Sequence, residues 1–144
     1  AAAALLVCRA SAGLGPQAMY EAGARDCSPR SADFAACWSK LFELRHQPPE
    51  LALSEAGLGE AWVAEEAVAS ALYCVWRSPG DFRQTVLTAA NTDGDSDSIA
   101  CIAGGISGAL NGIESIPAPW IEQIENADML RDLADRLLAL ALLD

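Results

Sequence analysis

Apolar residues recur every three to four positions along most of this chain, a period that predicts helices. Ala1 to Ala10 reads as the end of a helix, closed by Ser11-Ala-Gly-Leu-Gly-Pro, and Gln17 to Gly23 as another, shorter one. After a turn at Ser28-Pro29, Ser31 to Arg45 carries Phe34, Cys37, Trp38, Leu41 and Leu44 at helical spacing, until Gln47-Pro48-Pro49 ends it. Ser54 to Gly59 reads as a loop. A long helix is predicted from Glu60 to Arg77, with Val68, Leu72, Val75 and Trp76 inward and Ser78-Pro79-Gly80 as its stop. Asp81 caps the next helix, Phe82 to Ala90, which turns Phe82, Val86 and Ala89 inward.

A turn dense in carboxylates follows, Asp93-Gly94-Asp95-Ser96-Asp97-Ser98, and then a helix from Ile99 to Leu110. On that helix Ala100, Gly104 and Gly108, with Gly112 beyond it, recur every fourth residue. Such a line admits a close neighbour and marks the helix as central. Asn111-Gly112 closes it. Ile116 to Trp120 is an ordered loop leading into a short helix, and Asp128 to Leu142 a terminal amphipathic helix with Leu130, Leu133, Leu137 and Leu140. No repeat or linker interrupts residues 1–144, which read as a single domain.

Composition supports an all-α fold: 29 alanines stand against 15 Val, Ile and Thr combined. A net charge of −11 with only nine basic residues excludes a nucleic-acid partner. An acidic protein acting on an anionic substrate needs a cation between the two. No segment approaches the roughly 20 apolar residues that span a bilayer, so no membrane partner is expected. Ala1 to Val7 is too short, and lacks the basic start, for a signal peptide. Its apolar opening without a methionine reads as the tail of something longer. Five cysteines, odd in number and without a CxxC pair, point to buried free thiols in a reducing cytoplasm.

Three carboxylates at alternate positions allow two readings of the acidic turn. One is a helix cap, where oxygens meet orphan N–H groups and the positive dipole end. The other is a cation site: in an extended or turning segment Asp93, Asp95 and Asp97 point the same way, an all-oxygen environment suited to Mg²⁺, Mn²⁺ or Ca²⁺. An EF-hand is excluded, because positions 6 and 12 counted from Asp93 are Ser98 and Gly104 rather than Gly and Glu. Gly105-Ile-Ser107-Gly108 lacks the nucleophile-elbow spacing, and no phosphate-binding glycine loop occurs. His46, the one histidine, sits in a surface turn. Glu65 and Glu66 read as a solvated helix face, and Trp62, Trp76 and Trp120 as core.

Four blocks taken in order resemble the C-terminal half of the ADP-ribosylglycohydrolases, the family that includes ADP-ribosyl-[dinitrogen reductase] hydrolases. They are Gly59 to Tyr73 (Gly-Glu-Ala-Trp-Val-Ala-Glu-Glu-Ala-Val-Ala-Ser-Ala-Leu-Tyr), Asn91 to Ala100 (Asn-Thr-Asp-Gly-Asp-Ser-Asp-Ser-Ile-Ala), Ala103 to Gly112, and Ile116-Pro117 with Trp120. The likeness runs from Gly59 to Leu138; Ala1 to Leu58 is similar only in helical character.

The resemblance implies an orthogonal multi-helix all-α fold and a two-metal centre, usually Mg²⁺ and sometimes Mn²⁺, that hydrolyses ADP-ribose from proteins or small molecules. It implies Asp95, Asp97 and Ser98 as metal ligands. Asp93 stands where the family commonly has glycine, and is expected behind the ligands. The family's Thr-Asp-Asp cluster and N-terminal glycine-rich, acidic block are absent, so the chain carries about half of a metal centre. The missing half would supply the other ligands and the catalytic acid–base. The expectation is a metal-dependent glycosidic hydrolase in fragment form, inactive alone; a non-enzymatic crystallin-like scaffold and one half of a split enzyme remain alternatives. The acceptor stays open among arginine, serine, dinitrogenase reductase and small molecules.

Overall fold

Helices account for nearly all the regular structure in the computed structural model, which describes residues 1–141, and no strand forms among them. The helices are α1 (Ala2–Ser11), α2 (Pro16–Asp26), α3 (Ala32–Leu44), α4 (Pro49–Ala52), α5 (Ala64–Arg77), α6 (Phe82–Ala90), α7 (Ser96–Asn111), α8 (Ala118–Gln123) and α9 (Ala127–Ala141). Single 3₁₀ turns follow α2 at Ser28–Arg30 and α7 at Ile113–Ser115.

The core is built around α5. Its residues from Ala67 to Val75 are all buried, so it presents no solvated face over that stretch. Alanines at 67, 69 and 71 let neighbouring helices close in while Leu72, Tyr73 and Val75 fill the gaps. Helix α7 packs on α1, α5 and α6, and α3 packs on α5, which makes α7 central as its small residues foretell. Val86 and Phe82 of α6 lie 3.6 and 3.7 Å from where a side chain on Gly104 or Gly108 would begin. The small-residue line therefore receives α6 side chains.

Three side chains of this interior find main-chain acceptors, whereas the Ser70 hydroxyl, buried on α5, finds no partner among the described residues. Trp38 Nε1 donates to the Tyr20 carbonyl at 2.9 Å, the Tyr73 hydroxyl donates to the Gln47 carbonyl at 2.6 Å, and Thr85 Oγ1 donates to the Ser78 carbonyl at 3.0 Å. Asp81 caps α6 as its sequence predicts, accepting from Gln84 N at 2.8 Å, and Ser31 caps α3.

Several expectations are corrected. The long helix does not begin at Glu60, because residues 60–63 run outside α5. Instead Glu66, three residues into α5's first turn, reaches back to accept from Ala61 N at 3.0 Å. Glu66 is thus no solvated face residue; it clasps a loop in which Gly59 and Ala61 both have positive φ. Trp62 is not core but 70% exposed. Only Cys74 is fully buried; all five thiols are free, and Cys8 and Cys101 are exposed. The leucines of α9 lie on one side as predicted, but that side is exposed. Leu142, the expected end of that helix, lies outside the described residues.

Candidate metal centre

The acidic turn is shaped by its main chain. Past the end of α6, Asp95 N donates to the Glu60 carbonyl at 2.8 Å, tying the turn to the loop ahead of α5. Gly94 makes this approach possible: a Cβ there would clash with the Glu60 carbonyl oxygen and lie 2.7 Å from the Glu60 carbonyl carbon and Cβ. Asp95, at φ −72° and ψ 65°, is the centre of an inverse γ-turn closed by Ser96 N donating to the Gly94 carbonyl at 2.8 Å. Helix α7 starts immediately, three residues earlier than the apolar pattern implies, so Asp97 and Ser98 lie in its first turn.

That early start separates Asp93 from the other two aspartates. Alternate positions share a side only in extended chain, and here the chain is already winding. Asp95, Asp97 and Ser98 come together: Ser98 N donates to Asp97 Oδ1 at 3.0 Å, and the Asp95 carboxyl lies within hydrogen-bonding reach of Asp97 and of Ser98. Asp97 foremost, then Ser98, hold the Asp95 carboxyl below the usual carboxylate range against a smaller opposing effect of desolvation. Asp93 instead lines a cleft of about 240 Å³ with Glu50, Glu55 and Glu60, and makes no hydrogen bond to the other three among the described residues.

Two carboxyl groups this close repel unless a proton or a cation lies between them. The donor set, two carboxylates and a hydroxyl, is all oxygen, which suits a hard divalent ion. It is also small. Among the described residues no three Asp, Glu, His or Cys side chains converge into a metal cage. The residues fit one wall of a centre, facing solvent.

Sequence reasoning missed two residues beside this wall. Glu60 accepts the turn's main chain through its carbonyl, while its side chain accepts from Trp62 Nε1 at 3.0 Å. Trp62 is thereby held exposed, two residues from the main-chain clamp on Asp95. An aromatic between Ala61 and Val63 gives no sequence signal of exposure; only the broken helix start at residue 60 reveals it. His46 is exposed, as its turn implies. Among the described residues no helix is long and apolar enough to cross a membrane.

The family model for ADP-ribosylglycohydrolase matches residues 1–143, including the first 58 residues, where the sequence shows only helical character. An ADP-ribosylarginine hydrolase, Tri1, of Serratia proteamaculans is 34% identical over 76 residues, covering 53% of this chain and 20% of that protein. The ADP-ribosylhydrolase ARH3 of Danio rerio is 38% identical over 98 residues (61% and 26%), and that of Homo sapiens 31% identical over 127 residues (79% and 34%). The chain thus spans a fifth to a third of the length of these curated relatives. No solved structure matches it. The helical architecture, the Asp95–Ser98 turn and a family match over nearly every residue agree: this chain belongs to the ADP-ribosylglycohydrolase family.

Proposed function

We propose that this chain provides one wall of a divalent-metal centre that hydrolyses the N- or O-glycosidic bond joining ADP-ribose to a protein or small-molecule acceptor. The observation that carries this reading is the cluster of Asp95, Asp97 and Ser98 at the start of α7, with the Asp95 carboxyl held ionised beside a second carboxyl. Asp95 and Asp97 would hold Mg²⁺, or Mn²⁺, through carboxylate oxygens, and Ser98 through its hydroxyl. The bound ion supplies charge neutralisation and orientation for the substrate and a water.

The chain's own residues do the positioning. Gly94 and the Glu60 carbonyl fix where the Asp95 backbone lies, α7 fixes Asp97 and Ser98, and Trp62 offers an exposed indole face to the adenine or ribose of the substrate. The remaining metal ligands, and the acid–base group, would come from polypeptide outside these 144 residues, so the isolated chain binds metal weakly and turns over little.

Magnesium titration followed by thermal shift tests this. A site with a Kd of about 1 mM gains about 1.4 kcal/mol at about 10 mM Mg²⁺, which raises the melting temperature by roughly 3–5 °C in a domain of this size. Asp95→Ala and Asp97→Ala should lose that rise, with sodium chloride at matched ionic strength as the control. Equal stabilisation of parent and variants would sink the assignment. Release of ADP-ribose on mixing with a polypeptide carrying the Thr-Asp-Asp cluster would extend the reading to the whole reaction.

A further inference from the structure

Granted the metal centre proposed for Asp95, Asp97 and Ser98, we propose that Glu66 is a positioning residue for it, setting the peptide plane on which the acidic turn rests. Glu66 Oε2 accepts from Ala61 N at 3.0 Å, and the Glu60 carbonyl accepts from Asp95 N at 2.8 Å. The Ala61 N–H and the Glu60 carbonyl are the two ends of one planar trans peptide unit, and they point in opposite directions. Helix α5 therefore grips that plane at one end, and the approach to α7 rests on the other. Only this peptide unit and its two hydrogen bonds separate the Glu66 carboxylate from the Asp95 main chain.

The backbone at Ala61 shows that the plane is held against its own preference. Its φ is +64°, in the left-handed region that residues with a Cβ rarely adopt. Turning the plane over by about 180° would bring that angle to the ordinary negative side, at the expense of both hydrogen bonds. Ala61 is 2% exposed, so water has little access to replace the carboxylate on its N–H. Glu66 thus supplies what keeps the Glu60 carbonyl turned toward Asp95.

The surrounding loop is built to admit this grip. A Cβ on Gly59, itself at φ +94°, would clash with the Glu66 carboxylate. From α3, Lys40 Nζ donates to the Gly57 carbonyl at 2.9 Å, fixing the chain just ahead of the gripped plane. Loss of Glu66 therefore frees the 60–61 peptide alone, and the turn that leans on it.

Two readings at 25 °C, where the variants remain folded, test this: hydrogen exchange by NMR, and Mn²⁺ binding from the electron paramagnetic resonance of the free ion. In Glu66→Ala the Asp95 amide should exchange about tenfold faster relative to that of Ile106, buried on α7. Mn²⁺ should bind about threefold or more weakly. Glu66→Gln loses the charge but keeps an acceptor oxygen, and should recover most of both. Glu66→Asp keeps the charge but falls short of the N–H, and should fail as alanine does. Tyr73→Phe, which removes the hydroxyl bonded to the Gln47 carbonyl, should lower stability yet leave both readings at the parent values. An Asp95 amide as protected in Glu66→Ala and Glu66→Asp as in the parent overturns the proposal. So does a Mn²⁺ affinity that these variants leave unchanged in a parent that binds the ion. A parent that binds Mn²⁺ no better than Asp95→Ala overturns the metal reading itself, and the role of Glu66 with it, even where the exchange rates follow the expected order.

Discussion

Replacing Gly94 by alanine puts the clamp between the acidic turn and the Glu60 loop under direct test. The new Cβ would clash with the Glu60 carbonyl oxygen, with the carbonyl carbon and Cβ of that residue both at 2.7 Å. Ordinary carbon contacts begin near 3.5 Å, so one backbone must retreat by roughly 1 Å. The hydrogen bond from Asp95 N at 2.8 Å does not survive such a shift. Losing it costs about 1 kcal/mol. Forcing apart packed backbone costs a further 1–3 kcal/mol or so. The sum, about 2–4 kcal/mol, lowers the melting temperature of a domain this size by roughly 6–12 °C. Urea denaturation should show the midpoint falling with little change in slope. Because Asp95 moves with the turn, the magnesium response should fall as well. Gly80→Ala is the matched control: nothing lies within 4 Å of its would-be side chain, and it should be near neutral. A Gly94→Ala protein that melts within 2 °C or so of the parent and keeps its metal response would refute the view that this contact sets the site.

Other outcomes follow from the same contacts. Glu66→Ala leaves the buried Ala61 N–H without its acceptor and should cost about 2 kcal/mol in urea unfolding, whereas Glu66→Gln, which keeps an acceptor oxygen, should cost less. Asp81→Ala removes the cap on α6 and should cost about 1 kcal/mol by the same measurement. With a thiol reagent near pH 8, Cys8 and Cys101 should react in the native protein, while Cys74 should not, since burial pushes its thiol up to about 12. That elevation also has a sign for stability. The folded chain keeps the Cys74 proton where the unfolded chain has lost it, so stability should decline as pH rises from about 9 toward 12. A Cys74→Ala variant should show a shallower decline.

Much of the helical order is readable from the chain because it is encoded locally. Ser31 and Asp81 announce their helices by capping chemistry, and Ser78-Pro79-Gly80 stops α5 where the apolar period ends. The start of α5 is not local in this sense. Residues 60–63 have good helical composition but are held out by a side chain from the following turn and by a hydrogen bond from Asp95, thirty-five positions on. Trp62 is exposed for the same reason. The site residues Asp95, Asp97 and Ser98 are legible by their likeness to the family motif, and the structure brings them together. Their spacing alone misleads, since alternate residues share a side only in extended chain and a helix begins at Ser96. The leucine stripe on α9 is plain in sequence; a one-sided pattern says that a face is apolar but not what covers it.

The clamp on the acidic turn has an evolutionary corollary. The turn keeps its shape through Gly94, the Glu60 carbonyl and the start of α7, not through its carboxylates, so scaffold and chemistry can drift apart. Substituting Asp97 by asparagine removes a like-charge neighbour and should leave the protein as stable or firmer while abolishing its cation response. A lineage could thus lose the reaction in one codon and keep the fold indefinitely. Gly94 would then persist as the signature of an architecture whose purpose had changed.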